Sequence, residues 1–344
     1  MTMGFRIQRF TPASRATTAV AALVLLFLVA APWLTGRANI RLMGEMFSFL
    51  ALASLWNLLA GYCGLVSVGQ QAFVGFGGYM LFALAIFLGL NPLLAIVGAG
   101  MLGALIAAPI GVLLFRLHGP YFAIGSWVFA EILRLSFAQV SALGGGSGSS
   151  LPTSVLAGLA GREWREIFIY WTGLAIAVST LIFVVLLLRS KTGLALTGLR
   201  DSEIASESLG VNSWLTKMKV YVSVAGLTTM VGAFIFLQKL RISPDAAFSV
   251  NDWTAYVIFI AVIGGVGTIE GPIIGTVVFF VLRETLSDFG TMYLMVLGAL
   301  AIIIMLKAPR GIWGIISERA GISLVPIRRR VVFFNDQLAT EREV

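Results

Sequence analysis

Charged side chains are scarce in this sequence. Asp, Glu, Lys and Arg make up 12% of the 344 residues, whereas hydrophobic residues make up 58%. An average soluble chain is about 25% charged and about 45–50% apolar. This number of polar side chains is too small to cover the surface of a soluble fold of this length. A soluble enzyme is therefore excluded. We predict an all-α, polytopic membrane protein.

Cysteine and histidine occur once each, as Cys63 and His118. A single cysteine excludes an intrachain disulfide and a cysteine-rich zinc site, and a single histidine excludes a metal cluster built on histidines. A histidine-dependent catalytic triad would rest on His118 alone. We therefore predict neither a catalytic residue nor a metal site in this chain.

Nucleotide-binding and hydrolase motifs are also missing. The phosphate-binding pattern G-x-x-x-x-G-K-[ST] does not occur, because Ser190 precedes the only K-[ST] pair, Lys191–Thr192. The nucleophile pattern G-x-S-x-G is absent as well. If this protein uses ATP, the nucleotide and its magnesium ion must bind to another chain.

What the sequence does contain is a series of about ten apolar segments, most of them near the 20 residues that cross a bilayer. The first segment is preceded by three basic residues, Arg6, Arg9 and Arg15. This pattern is typical of a cleaved signal peptide or of a retained first helix, and the length of the segment favours the retained helix. The last four segments are the least regular. The segments are residues 16–34, 42–60, 72–90, 93–115, 120–140, 167–188, 220–237, 253–266, 272–282 and 291–306.

The basic residues indicate the orientation. With the N-terminus inside and ten crossings, 16 of the 24 lysines and arginines lie on the inner side, the bias typical of cytoplasmic loops. Arg37, Arg41, Lys239 and Arg241 lie on the other side. The sequence therefore predicts that both termini are cytoplasmic.

One membrane domain accounts for most of the chain. We predict cytoplasmic tails over residues 1–15 and 308–344 and a transmembrane domain over 16–307. The loop 141–166, flexible by its Gly and Ser content, falls outside, and the loop 189–219 falls inside. The basic C-terminal tail is interpreted as facing anionic lipid rather than nucleic acid.

Two glycine-rich stretches, residues 61–79 and 264–272, interrupt the apolar segments in the two halves of the chain. Paired interruptions of this kind indicate a transport pathway near the membrane midplane. Close packing between helices is the alternative, and the two interpretations are compatible. The candidate pathway residues are Ser67, Gly69, Gln70, Gln71, Gly264, Gly265 and Gly267.

Few acidic residues fall near the apolar segments. Glu131 and Arg134 share a helix face and either neutralise each other inside the membrane or reach water at the end of a short helix. We favour the second interpretation. Glu270, at the second interruption, is either solvated or lines the pathway.

The inner loop is predicted to contain a short helix. Asp201 or Ser202 caps its start and Gly210 stops it. Glu203 and Glu207 share one face, whereas Ala205 and Leu209 form a second, small apolar face. Such a helix suits docking onto another protein, and a solvated connector is the alternative.

These stretches resemble a known family. Residues 203–210 (EIASESLG) are similar to the E-A-A-x-x-x-G loop of ABC importer permeases, and residues 64–79, 119–125 and 264–272 resemble further motifs of the branched-chain amino-acid permeases of the LivM type. Ser206 departs from the commoner alanine. The resemblance implies an ABC importer permease fold with two related halves. It assigns the coupling helix to Arg200, Asp201, Ser202, Glu203, Ala205, Glu207 and Gly210.

The resemblance also implies partners: a second related permease, two ATPase subunits that carry ATP and magnesium, and a periplasmic substrate-binding protein at a bacterial inner membrane. Two alternatives stay open. One is an ion-coupled secondary transporter, which needs intramembrane carboxylates. The other is an ABC permease for a different small polar solute, such as urea or an amide.

Overall fold

A computed structural model describes residues 4–8, 12–152, 155, 164–286, 292–308, 310–320 and 330–334. Helices account for nearly all of these residues, which confirms the all-α polytopic class. The helices in chain order are α1 (Pro12–Leu34), α2 (Arg37–Asn57), α3 (Gln70–Phe87), α4 (Pro92–Leu114), α5 (Pro120–Ala138), α6 (Arg165–Arg189), α7 (Lys191–Asp201), α8 (Glu203–Ser208), α9 (Ser213–Lys239), α10 (Pro244–Ala247), α11 (Tyr256–Gly264), α12 (Glu270–Leu286), α13 (Met292–Lys307) and α14 (Gly311–Ala320).

Every one of the ten predicted segments is helical over most of its length. Among the described residues, eight helical stretches are long and apolar enough to cross a membrane. Two predicted segments fall short of that length: the apolar part of α1, Ala19–Leu34, and the 17-residue α12. Two π-helical turns, Leu58–Tyr62 after α2 and Asn251–Ala255 before α11, lengthen the helices that they adjoin.

Helix α9 lies at the centre of the bundle and packs against α3, α4 and α2. Small residues allow these helices to approach closely. A Cβ atom at Gly77 of α3 would lie 2.0 Å from the Thr229 carbonyl oxygen, and one at Gly103 of α4 would lie 2.1 Å from the Thr229 hydroxyl. Large side chains such as Phe82 and Phe234 fill the core around this contact.

The loop after α5 has a defined conformation, whereas its composition predicted flexibility. Short 3₁₀ turns span Ser141–Leu143 and Gly145–Ser147, and strand β2 (Ser149–Ser150) pairs antiparallel with β3 (Arg241–Ile242). Gly148 has φ +79°, and a Cβ atom there would lie 2.0 Å from the Ile242 carbonyl oxygen. Glycine thus serves close packing at this position. Most of residues 153–163 lie outside the described part of this predicted loop.

The two ends of the chain pair with each other. Strand β1 (Gly4–Gln8) runs antiparallel to strand β4 (Arg330–Phe334), with Gly4 opposite Phe334. The sequence predicted two separate tails, and this ribbon joins parts of them. Residues 1–3, 9–11, 309, 321–329 and 335–344 of those tails lie outside the described residues.

Candidate functional site

The predicted coupling helix is present as α8, with its own start and stop signals. The Ser202 side chain accepts a hydrogen bond from the Ala205 amide at 3.3 Å, so Ser202, not Asp201, is the N-cap. At the other end Gly210 has φ +86°. The Gly210 amide donates to the Glu207 carbonyl oxygen and the Val211 amide to the Ser206 carbonyl oxygen, the pattern of a Schellman C-cap.

The helix boundaries differ from the prediction in one respect. Arg200 and Asp201 belong to α7, and the extended backbone of Ser202 (φ −160°) separates α7 from α8. With Ser202 as its cap and Gly210 as its stop, α8 is the predicted short helix, and the loop contains a second helix, α7, before it. A residue that caps one helix cannot also continue the preceding one.

The acidic face of α8 is partly neutralised by α9. A Glu203 carboxylate oxygen lies 2.7 Å from Lys217 Nζ and also accepts a hydrogen bond from the Ser213 hydroxyl. The hydrogen bond from Lys217 is the main cause that lowers the pKa of Glu203, and the bond from Ser213 adds to it. Within the described ranges Glu207 makes no ion pair, so its charge is available to another molecule.

The side of α8 that faces the rest of the chain carries a small residue, and the side that faces outward carries apolar residues. Ser206 is buried against Gly198 of α7, and its hydroxyl donates to the Ser202 carbonyl oxygen at 2.9 Å. Ile204 is 81% exposed and Leu209 is 86% exposed. The predicted apolar face of Ala205 and Leu209 thus omitted Ile204. We call Ile204, Glu207 and Leu209 the docking surface.

A cleft of about 680 Å³ adjoins the docking surface. It lies between α8, the turn before α5, the start of α9 and the residues that follow the π-helical turn of α2. Acidic, basic, aromatic and aliphatic side chains line it. Representative lining residues are Glu203, Glu207, His118, Trp214, Lys217 and Val66.

The first predicted interruption is a non-helical segment over residues 63–69, which we call break 1. The Ser67 carbonyl oxygen accepts a hydrogen bond from the Trp56 indole at 2.8 Å. Gly69 packs against Ser126 of α5, where a Cβ atom would lie 2.2 Å from the Ser126 carbonyl oxygen. Break 1 is thereby held by α2 and α5.

Two glutamines follow break 1 at the start of α3. The Gln70 side-chain amide donates to the Thr228 hydroxyl of α9 at 3.1 Å. The Gln71 side-chain oxygen accepts from the Thr254 hydroxyl, which in turn accepts from the Gln71 backbone amide at 3.3 Å. Both glutamines are buried, so the chain's own helices cover these two predicted pathway residues.

The second predicted interruption is the turn over residues 265–269 between α11 and α12, which we call break 2. Gly265 and Gly267 have φ of +129° and +80°, conformations that side chains other than glycine rarely adopt. A Cβ atom at Gly264 would lie 1.8 Å from the Gly271 carbonyl oxygen. Close packing, the alternative interpretation of these glycines, is therefore present.

Asn57, which the sequence analysis did not single out, joins the end of α2 to break 2. Its side-chain amide donates to the Thr268 carbonyl oxygen, and its side-chain oxygen accepts from the Gly267 amide, both at 2.7 Å. A Cβ atom at Gly61 would lie 2.5 Å from the Gly267 nitrogen. The sequence did contain a signal for Asn57, because its amide side chain lies inside an apolar segment, where a polar group needs a partner.

Glu131 and Arg134 lie near the C-terminal end of α5. Arg134 contacts a Glu131 oxygen at 2.6 Å and Asp245 of α10 at 2.7 Å, and both members of the predicted pair remain partly exposed. The two residues therefore pair with each other, and the interpretation that they reach water at a helix end stays a prediction. Glu270 is buried at the start of α12.

Eight membrane-length helical stretches among the described residues define a multi-pass membrane protein. A sequence model of the family described as "Branched-chain amino acid transport system / permease component" matches residues 38–305. The chain belongs to this family.

Curated relatives agree with the family. The chain is 28% identical over 312 residues to the high-affinity branched-chain amino acid transport system permease protein LivM of Salmonella typhimurium and, equally, to that of Escherichia coli. Each alignment covers 84% of this chain and 73% of the relative. A probable branched-chain amino acid transport permease protein LivM of Methanocaldococcus jannaschii is 23% identical over 264 residues, 71% of this chain and 76% of the relative. No solved structure matches.

Proposed function

We propose that this chain is the permease subunit of an ATP-driven importer for branched-chain amino acids in a bacterial inner membrane. It forms half of the translocation pathway, and a second related permease forms the other half. Two ATPase subunits bind ATP and magnesium, and a periplasmic binding protein delivers the substrate. The observation that carries the proposal is the family match together with the docking surface on α8.

The docking surface has the chemistry of a protein interface. Two large apolar side chains, Ile204 and Leu209, project from a six-residue helix that is fixed by caps at both ends. A rigid apolar anchor beside a charge is typical of an energetically important contact. We place the ATPase here, with a basic group opposite Glu207.

The orientation is part of the proposal. Basic residues favour a cytoplasmic location for the loop that carries α8. The pairing of β1 with β4 supports termini on the same side of the membrane, as an even number of crossings requires. The docking surface then faces the cytoplasm, where an ATPase has access to ATP.

We also propose that the pathway passes beside breaks 1 and 2. Because Gln70 and Gln71 are covered by helices of this chain, the residues that meet the substrate lie next to them and not at them. Val66 of break 1 is half exposed and borders the cleft. It is a better candidate for contact with the pathway than the buried glutamines.

The test compares two exposed apolar side chains at opposite ends of the bundle. Ile204→Glu should abolish co-purification of the ATPase and ATP-dependent leucine uptake into vesicles that contain the complete complex. Leu88→Glu, which changes a 67% exposed leucine after α3, should leave both unchanged. Full association and uptake in Ile204→Glu would contradict the docking assignment.

The same vesicles discriminate the alternatives. Uptake that is inhibited by vanadate and persists without an ion gradient supports the ATP-driven importer, and uptake that requires the gradient identifies an ion-coupled transporter. The pairing of Glu131 with Arg134 favours the importer, since a coupling carboxylate must be free to change its charge. Uptake of urea but not of leucine would agree with the proposed ATP-driven mechanism and contradict the proposed substrate.

A further inference from the structure

The loop that carries the docking surface reaches the end of α2 and break 2 through one side chain. Arg200, in the last turn of α7, has its Nη1 atom 3.5 Å from the Gly61 carbonyl oxygen. The same nitrogen lies 3.3 Å from the position of a Cβ atom at Gly267. Arg200 is only partly buried. It thus extends from the docking loop to the point where the end of α2 meets break 2.

Asn57 makes that point a single unit. Its two hydrogen bonds to break 2 are both 2.7 Å long, and the side chain is 2% exposed. The Gly61 and Gly267 backbones are also in close contact, because a Cβ atom at Gly61 would lie 2.5 Å from the Gly267 nitrogen. We therefore expect a displacement of Gly61 to displace break 2 as well.

A second link runs in the opposite direction. Thr254 lies in the π-helical turn before α11 and bonds to Gln71, just after break 1. Asn57 immediately precedes the other π-helical turn and bonds to break 2. Thr254 thus contacts the start of α3 from a π-helical turn, and Asn57 contacts break 2 from the residue before the other turn. Such local irregularities are frequent at functional sites.

We propose that Arg200 is a positioning residue that transmits movement of the docking loop to break 2 and to the end of α2, which leads into break 1, while Asn57 holds the end of α2 and break 2 together. The inference rests on the proposed function, because an ATPase must supply the movement. Arg200 acts on the backbone of Gly61 and does not contact the ATPase in this role.

The experiment removes the Arg200 contact and leaves docking intact. Arg200→Ala is compared with Lys191→Ala, which removes one positive charge from an exposed position on the same helix. In the complete complex, both variants should retain the ATPase and its basal hydrolysis. Leucine transported per ATP should fall about tenfold or more in Arg200→Ala only, because a hydrogen bond from a charged group contributes about one power of ten or more to an equilibrium. Arg200→Lys should recover part of the loss.

Cys63 provides a second readout. It is the only cysteine in the sequence, is buried, and opens break 1. In the wild-type complex, ATP should accelerate labelling of Cys63 by a membrane-permeant maleimide, because movement of break 1 exposes it. Arg200→Ala should remove that acceleration, and Lys191→Ala should retain it.

The outcomes separate the two proposals. Loss of the ATPase from Arg200→Ala would place this residue in the docking surface and overturn the inference. Unchanged transport per ATP, an equal loss in Lys191→Ala or ATP-independent labelling of wild-type Cys63 would overturn it as well. If the wild-type complex shows no ATP-dependent uptake at all, the proposed function fails first.

Discussion

At the scale of single residues, local partners accompany three of the four basic side chains that depart from the charge bias. Arg41 and Arg37, at the start of α2, lie 2.7 and 3.7 Å from the Glu166 carboxylate of α6. Lys239 lies 4.6 Å from the centroid of a Trp253 ring. Exposed pairs of this kind contribute little to stability, about 0–1 kcal/mol. They show instead that these cations have specific partners at their own end of the bundle.

The first prediction concerns the left-handed conformation of Gly210. Gly210→Val should weaken ATPase association about tenfold, because a left-handed conformation costs about 1–2 kcal/mol in other residues and about 1.4 kcal/mol corresponds to a factor of ten. A steric clash is not the cause, since no atom lies within 4 Å of the position of a Cβ atom at Gly210. Gly36→Val, at an equally open position with φ −72°, should have no effect. Quantitative co-purification measures both, and equal losses would contradict the argument.

The second prediction concerns the ion pair of Glu203 and Lys217. Because the pKa of Glu203 is lower in the folded protein, the pair stabilises the fold above the ordinary glutamate pKa of about 4.3. That stability is lost as the pH falls through the lower, folded-state pKa. Thermal unfolding of detergent-solubilised protein should therefore show less acid destabilisation in Glu203→Gln than in the wild type.

Glu207→Gln is the control for that measurement, because Glu207 has no ion-pair partner within the described ranges. Its unfolding temperature should follow the wild-type dependence on pH. A Glu203→Gln profile that coincides with the wild-type profile would show that the pair does not contribute to stability.

At the scale of elements, the hairpin of α11 and α12 depends on glycine contact. Gly264→Ala should reduce the yield of monodisperse protein and lower its unfolding temperature, because its Cβ would overlap the Gly271 carbonyl. Overpacking of this kind costs about 1–3 kcal/mol. Gly298→Ala, in α13 with no atom within 4 Å, is the matched control. Size-exclusion chromatography would contradict the argument if both variants behaved like the wild type.

The elements themselves could be predicted from the sequence, whereas their mutual contacts could not. Apolar run length located the ten helical segments, and cap chemistry located α8, because both signals are local. The Asn57 contact joins residues 211 positions apart, so no local pattern indicates its partner. Likewise the glycines of break 2 allowed both a pathway and close packing, which are compatible; their neighbours show the packing, and the pathway stays a prediction.

At the scale of the whole molecule, the predicted topology places the loop after α5 and the docking loop on opposite sides of the membrane. Ser147→Cys should react with a membrane-impermeant maleimide from the periplasm, and Ser208→Cys only after the cytoplasmic side is opened. Both serines are exposed, whereas Ser206 is buried and unsuitable. The wild-type chain, whose only cysteine is buried, supplies the blank. Labelling of both variants from the same side would contradict the prediction that the two loops lie on opposite sides of the membrane.

The terminal ribbon has a consequence for biosynthesis. Strand β1 is translated before β4, and every membrane-length helix of the described residues lies between them in the chain. Their pairing therefore cannot begin until all of these helices have been synthesised. Closing so long a loop costs entropy that grows only with the logarithm of its length. The ribbon is thus a late contact in the assembly of the helices that it encloses.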